Sequence, residues 1–377
     1  MSQPQYRYVF LGLSITSSWG NGHATTYRGL LRQLAARGHQ ITFLERDVPF
    51  YAAHRDLPKP SYAQTHLYGS FEELVDKHRA TVRDADLVVV GSYVPEGARI
   101  GEWVNATTPG RTAFYDIDTP ITLATLDLGD NDHLTRALVQ RYSLYLSFTG
   151  GPTLATLHDR YGAQLVRPLY CSADPDQYYP DRTEEPDSDL GYLGTYSLDR
   201  QPALERMVFE PARCWTDGRF LVAGAQYPST VTWPENVQYT AHIAPDEHRR
   251  FFAAQRYTLN ITRSAMIQAG HSPSVRLFEA AACGTPIISD PWPGLDQIFE
   301  PGREIVVARS GADVLRYLRD INEHERRSIA NAARGRFLRE HTSMHRAESL
   351  EQYTGEVLEL QARRARAATL PQPRLSS

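Results

Sequence analysis

The chain has 377 residues, 41% hydrophobic and 22% charged, and its 40 lysines and arginines against 44 aspartates and glutamates give a formal net charge of −4. That length predicts two domains of roughly 150–200 residues and excludes a miniprotein stapled by disulfides or metal. The mild acidity argues against a nucleic-acid partner, which usually shows as a basic domain. Only Lys59 and Lys77 are lysines, so nearly all positive charge comes from arginine, whose fixed fork suits phosphate and carboxylate. Cys171, Cys214 and Cys283 are widely spaced and odd in number, which fits neither a disulfide framework nor a zinc cluster. Without a signal-peptide pattern or an apolar run near 18 residues, the expectation is a soluble cytoplasmic protein with no transmembrane segment.

Taken in chain order, an apolar run at 8–15, an amphipathic stretch at 24–38 closed by Gly38, and a second apolar run at 40–45 make a β-α-β unit, parallel by default. Further strands are expected at 86–92, 111–118, 143–149 and 164–170, with helical patterns such as 71–85 between them. Residues 1–172 therefore form one Rossmann-like domain. The Pro- and Asp-rich segment 173–188 reads as a linker. The rhythm then restarts, with strands within 190–196, 219–227, 236–243, 257–263, 285–290 and 304–309, so 189–342 is a second Rossmann-like domain. A helical stretch at 343–367 is expected to cross back to the first domain, and 368–377 is a tail. The fold class is α/β, two doubly wound parallel sheets facing each other across a cleft where such folds bind ligands.

The most informative segment runs from Ala269 to Asp290. A loop rich in Gly, Ser and Pro opens a helix that ends at Gly284, and the free N–H groups at Ser274 and Val275 make an anion site. Arg276 in the first helical turn opposes the helix dipole, so it needs a local anion, which a diphosphate would supply. Glu279, three residues on, either pairs with Arg276 or accepts hydrogen bonds from a ribose diol.

The runs SPSVRLFEAAACGTPIISD, GLDQIFEPGREIVVA, LGYLGTYSLDRQPALERM and RYTLNITRSAM, with SSWGNGHATTYRGLLRQLAARGHQITFLERDVPFY and YDIDTP nearer the start, resemble the CgeB-like glycosyltransferases of the GT-B fold. The resemblance covers most of the chain. It implies a hexosyltransferase-type enzyme that takes a UDP-, GDP- or dTDP-linked sugar as co-substrate in the C-terminal domain. The acceptor hydroxyl, on a glycan, a lipid-linked or a small molecule, comes from the N-terminal side, with no further cofactor and no metal. Many retaining relatives carry two glutamates eight positions apart, the second touching ribose. Glu279 matches the second, but His271 stands at the first and becomes a candidate sugar ligand.

On the donor side the candidates are Gly194, Thr195 and Tyr196 in the first βα turn of the second domain, Arg263 at a strand end, and His271, Ser272, Ser274, Val275, Arg276 and Glu279. Arg263 and Arg276 together could neutralise a diphosphate leaving group. On the acceptor side, the loop 17–23 places Asn21 and Gly22 at the cleft and His23 as general base, because its pKa lies near working pH. Asp116 and Asp118, at the end of another strand, are acceptor ligands, with Asp118 the alternative base. Asp-x-Asp also serves as a metal–diphosphate motif in the single-sheet GT-A fold, which the second complete domain disfavours. His39 is structural. Two further readings remain: a nucleotide-sugar epimerase on the same fold, and a nucleotide-sugar-binding module without catalysis.

Overall fold

A computed structural model describes residues 4–129, 131–180 and 186–369. Residues 181–185 of the expected linker and the tail from 370 lie outside the described residues. The first sheet contains β1 (Arg7–Gly12), β2 (Gln40–Arg46), β3 (Gln64–Tyr68), β4 (Leu87–Gly91), β5 (Thr112–Asp116), β6 (Leu144–Ser147) and β7 (Val166–Pro168). Their order is β3-β2-β1-β4-β5-β6-β7. The second contains β8 (Ser188–Leu193), β9 (Phe220–Ala223), β10 (Val237–Thr240), β11 (Gln255–Asn260), β12 (Ile287–Ser289) and β13 (Val306–Val307), ordered β10-β9-β8-β11-β12-β13. Every strand pairing is parallel. Each sheet reverses winding direction at its first strand, so the crevices outside β1/β4 and β8/β11 are the positions where such sheets bind ligands.

Alternation along the strands builds the core on both faces. Val9, Leu11, Val88 and Val90 pack with Trp103 and Leu138 on one side, while Tyr8, Phe10, Leu87 and Val89 pack with Leu30 and Leu34 on the other. β3 is absent from the sequence reading because it is a polar edge strand, Gln-Thr-His-Leu-Tyr, paired only with β2 and buried only at Tyr68.

The chain entering the Pro- and Asp-rich segment is buried. Cys171, Ser172, Ala173 and Asp174 are each at most 2% exposed, and Asp174 binds Arg32 of the first domain at 2.7 Å. Tyr178 packs beneath the helix Val275–Cys283 with Leu277 and Phe278. The return crossing lies alongside: Ala173 bridges to Thr342, and the Ser172 and Ser343 hydroxyls are 3.1 Å apart. From there the helix Ser343–Thr369 lies on the first domain, where Ala347, Leu350 and Val357 join its core. His39 accepts from the Tyr6 N–H and meets Glu351 of that helix at 2.6 Å. Among the described residues no helix is long and apolar enough to cross a membrane.

Candidate active site

Two helix N-termini face each other where the switch points meet. The helix His23–Ala36 follows β1, and Val275–Cys283 follows β11; neither has a side-chain cap on its N-cap residue, Gly22 or Ser274. Gly22 and Val275 both line two adjoining cavities, of about 230 Å³ and about 180 Å³. The uncapped N–H groups at the start of Val275–Cys283 favour an anion in this space, whereas the His23 and Ala24 N–H groups of the facing helix are taken by Asn21.

The larger cavity collects Asn21, Gly22, Gly194, Thr195, Val275, Arg276 and Glu279. Arg276 is 7% exposed, donates to the carbonyl of Leu193 and to Asn260 Oδ1 at 3.0 Å, and lies over the Tyr192 ring at 4.8 Å. No carboxylate among the described residues forms an ion pair with it, and burial lowers its pKa. The protein therefore holds a desolvated guanidinium beside a helix N-terminus, an arrangement that an anionic ligand relieves. Glu279, 2% exposed, does not pair with Arg276. Its carboxylate meets His248 Nδ1 at 3.4 Å and the Tyr178 hydroxyl.

Arg200, overlooked in the sequence, lines both cavities. Its Nη2 donates to the Thr195 carbonyl at 2.6 Å, and its buried Nε has no partner. The Gly194–Thr195 turn folds back on the following residues and so aims this side chain inward; nothing in the local pattern marks it. Trp19 was likewise unassigned. Its ring lies 4.4 Å from His54 in its own domain and 4.4 Å from His242 in the other, closing the cleft beside the larger cavity.

The smaller chamber receives His23, Asp118, Arg263, Ser272 and Ser274. Arg263 Nη1 reaches across the cleft to Asp118, 3.0 and 3.3 Å from its two oxygens, and Tyr93 donates to the same carboxylate at 2.8 Å. The His23 ring stacks near Tyr93 with 5.8 Å between centroids, and its Nδ1 is buried without a partner. Burial pushes its pKa down to about 4; the Asp118 charge opposes this and Arg263 reinforces it. His23 is therefore a neutral imidazole at neutral pH.

Three expectations need correction. Asp116 does not reach the cleft: it is fully buried beneath the helix Thr119–Leu128, bonded to Tyr145 at 2.5 Å and Thr122 at 2.8 Å, and burial raises its pKa to about 6. His271 lines neither cavity. Its backbone adopts a positive φ of 48°, its N–H donates to Pro293 at 2.6 Å, and its ring fills the gap between Gly151 and Gly294, where any Cβ would collide with it. Tyr196 also lies off the cavity walls, edge-on to Tyr227 at 5.4 Å. Asn21 is at the wall, but its amide is spent on the loop, donating to the Ser14 and Ser17 carbonyls and accepting from His23 N–H. Among the described residues no group of three or more His, Cys, Asp or Glu side chains is placed to hold a metal ion.

Residues 200–352 match the family described as glycosyl transferase-like. No curated protein matches the chain. Among solved structures, sucrose-phosphate synthase from Thermosynechococcus elongatus is 13% identical with a TM-score of 0.66, over 94% of this chain and 100% of that one. HepE of Anabaena in complex with UDP-glucose is 14% identical with a TM-score of 0.67, again over 94% and 100%. An alpha-glucosyltransferase in complex with UDP is 11% identical with a TM-score of 0.70, over 93% and 100%. At these identities the likeness is one of architecture: the chain has the GT-B fold, two Rossmann-like domains facing across a cleft.

Proposed function

We propose that the protein is a metal-independent glycosyltransferase that moves a hexosyl group from a nucleoside-diphosphate sugar to an acceptor hydroxyl. The observation that carries this reading is Arg276, a buried guanidinium without a carboxylate partner beside the open helix start at Val275, with Arg200 alongside. In this scheme the two arginines and the helix N–H groups take the diphosphate and stabilise its charge as it leaves. Glu279 takes the ribose diol. The family match over residues 200–352 and the resemblance to CgeB-like enzymes agree with it.

The acceptor oxygen attacks the anomeric carbon, its proton passes to the unpartnered Nδ1 of neutral His23, and the bond from carbon to diphosphate oxygen breaks with the electron pair leaving on the diphosphate. An imidazole with a pKa of about 4 is a weak base. When Arg263 turns from Asp118 to the departing diphosphate, its share in lowering the His23 pKa is lost and the carboxylate charge raises the basicity, against the larger effect of burial. Inversion at the anomeric carbon follows from a single displacement. Some solved structures of the alpha-glucosyltransferase neighbour include DNA, but the acidic balance of this chain disfavours that acceptor.

A thermal-shift panel of UDP, GDP, dTDP, ADP and CMP tests the donor site. UDP leads the panel because neighbouring structures hold UDP or UDP-glucose. A nucleotide at 100 times its Kd stabilises the folded protein by about 2.7 kcal/mol. No response from any member removes the donor reading.

A further inference from the structure

We propose that the acceptor is a small, uncharged, apolar alcohol, aryl or alkyl, and not a saccharide. This rests on the transferase reading above and concerns the chamber of about 180 Å³ that adjoins the donor cavity. Much of its lining is carbon: Ile117, Phe148, Ile261, Met266 and Pro273. Several of the polar groups around it are already bonded to the protein. Ser272 Oγ is shared between Thr149 Oγ1 at 3.0 Å and the Met266 sulfur at 3.1 Å, and Ser274 Oγ donates to Asn260 Oδ1 at 2.7 Å. Thr262 Oγ1 donates to Asp290 at 2.7 Å, and Cys171 Sγ to the Pro273 carbonyl at 3.2 Å. Asp118 is held by Arg263 and Tyr93, so of the two arginines that line the chamber Arg263 already faces an anion.

Besides Arg200 Nε, two buried polar atoms without a partner belong to residues that line this chamber, His23 Nδ1 and Thr26 Oγ1. They stand three residues apart on the same helix and therefore on one face. That pair can serve one hydroxyl: Nδ1 accepts its proton while Thr26 bonds its oxygen. A sugar ring carries a hydroxyl on nearly every carbon, and each one left unpaired against the Ile117–Phe148–Met266 wall costs roughly tenfold in affinity. A phenol or short alkanol presents one hydroxyl to His23 and Thr26 and carbon to the rest.

The test uses 4-methylumbelliferone, a fluorescent phenol, and cellobiose as the saccharide, titrated into the full chain with and without saturating UDP. Saturable binding of 4-methylumbelliferone, unaffected by a tenfold excess of cellobiose, is expected. Met266→Asp, on the short helix Ser264–Ala269 that has no buried residue, should weaken the phenol at least tenfold and leave UDP affinity within twofold. Displacement of the phenol by equimolar cellobiose, or phenol binding indifferent to Met266→Asp, overturns the proposal. Phenol binding that depends on Met266, in a protein that responds to no nucleotide, supports the apolar-alcohol chamber and overturns the donor reading instead.

Discussion

Arg263, just beyond β11 of the second domain, and Asp118, just beyond β5 of the first, form an ion pair across the cleft with 3.0 Å between Nη1 and Oδ2. The arginine side chain is 38% exposed and the aspartate 12%, so solvent screening limits the pair to about 1 kcal/mol or less. It links the two domains, yet is weak enough for a diphosphate to compete for the guanidinium.

Asp118→Asn removes the partner of Arg263 and the charge that raises the pKa of His23. The expected outcome is a fall in kcat of about 100-fold, within the range for a disturbed general base. Nucleotide affinity holds or rises, because Arg263 is freed. Steady-state kinetics beside nucleotide titration measure both; lost nucleotide affinity with unchanged kcat contradicts this role.

Acid sensitivity follows from three buried neutral histidines. Burial lowers His23 and His133 to about 4 and His341 to about 3, all below the ordinary 6.5. Their contribution to stability is complete above pH 6.5 and is lost as pH falls, because the unfolded chain takes protons that the folded one refuses. Asp116 works the other way: raised to about 6, it binds a proton in the folded state before the unfolded state does, offsetting one of the three. A net uptake of about two protons near pH 5 corresponds to roughly 3 kcal/mol per pH unit as an upper bound. Urea unfolding at pH 7.5, 6 and 5 measures the slope. His133→Phe, which keeps the ring against Phe114 but takes no proton, should reduce the slope by about one proton.

What the sequence made legible were elements whose environment is uniform along their length. β1, β4 and β5 lie between helices on both sides and show as apolar runs; β3, on the edge, does not. The helix start placed Arg276 and Glu279 on one cavity, but their three-residue spacing did not decide whether they pair, and they do not. Asp116 and Asp118 were not separable: they are two residues apart, yet the bend after β5 sends the first under the helix Thr119–Leu128 and the second into the cleft. His271 is turned away by its own positive φ and by glycines at 151 and 294, one in each domain. Arg200 depends on how a turn folds back. These outcomes are decided by contacts distant in sequence, which no local pattern encodes.

Arg276→Met should separate binding from stability. The substitution removes a buried cation without a carboxylate partner, so the nucleotide-free protein loses the hydrogen bonds to Leu193 and Asn260 but also the burial cost of the charge. The expected result is a Tm that does not fall, together with loss of the nucleotide-induced shift. Arg200→Ala should weaken the same shift at least tenfold in nucleotide concentration. A destabilised Arg276→Met protein that still binds nucleotide would make the guanidinium a structural element.

Leu350 lies in the last helix, yet it is 0% exposed in the core of the first domain together with Ala347 and Val357. Leu350→Ala removes buried methyl groups and leaves a cavity between that helix and His23–Ala36, which costs about 3 kcal/mol. Leu360→Ala on the same helix, at a side chain 39% exposed, should change stability by no more than about 0.5 kcal/mol. Because the affected core belongs to the first domain and Arg276 to the second, nucleotide binding below the transition should survive Leu350→Ala. Denaturant unfolding followed with and without nucleotide separates the two domains. Equal stability of the two alanine variants would mean that the returning helix rests on the first domain without completing its core.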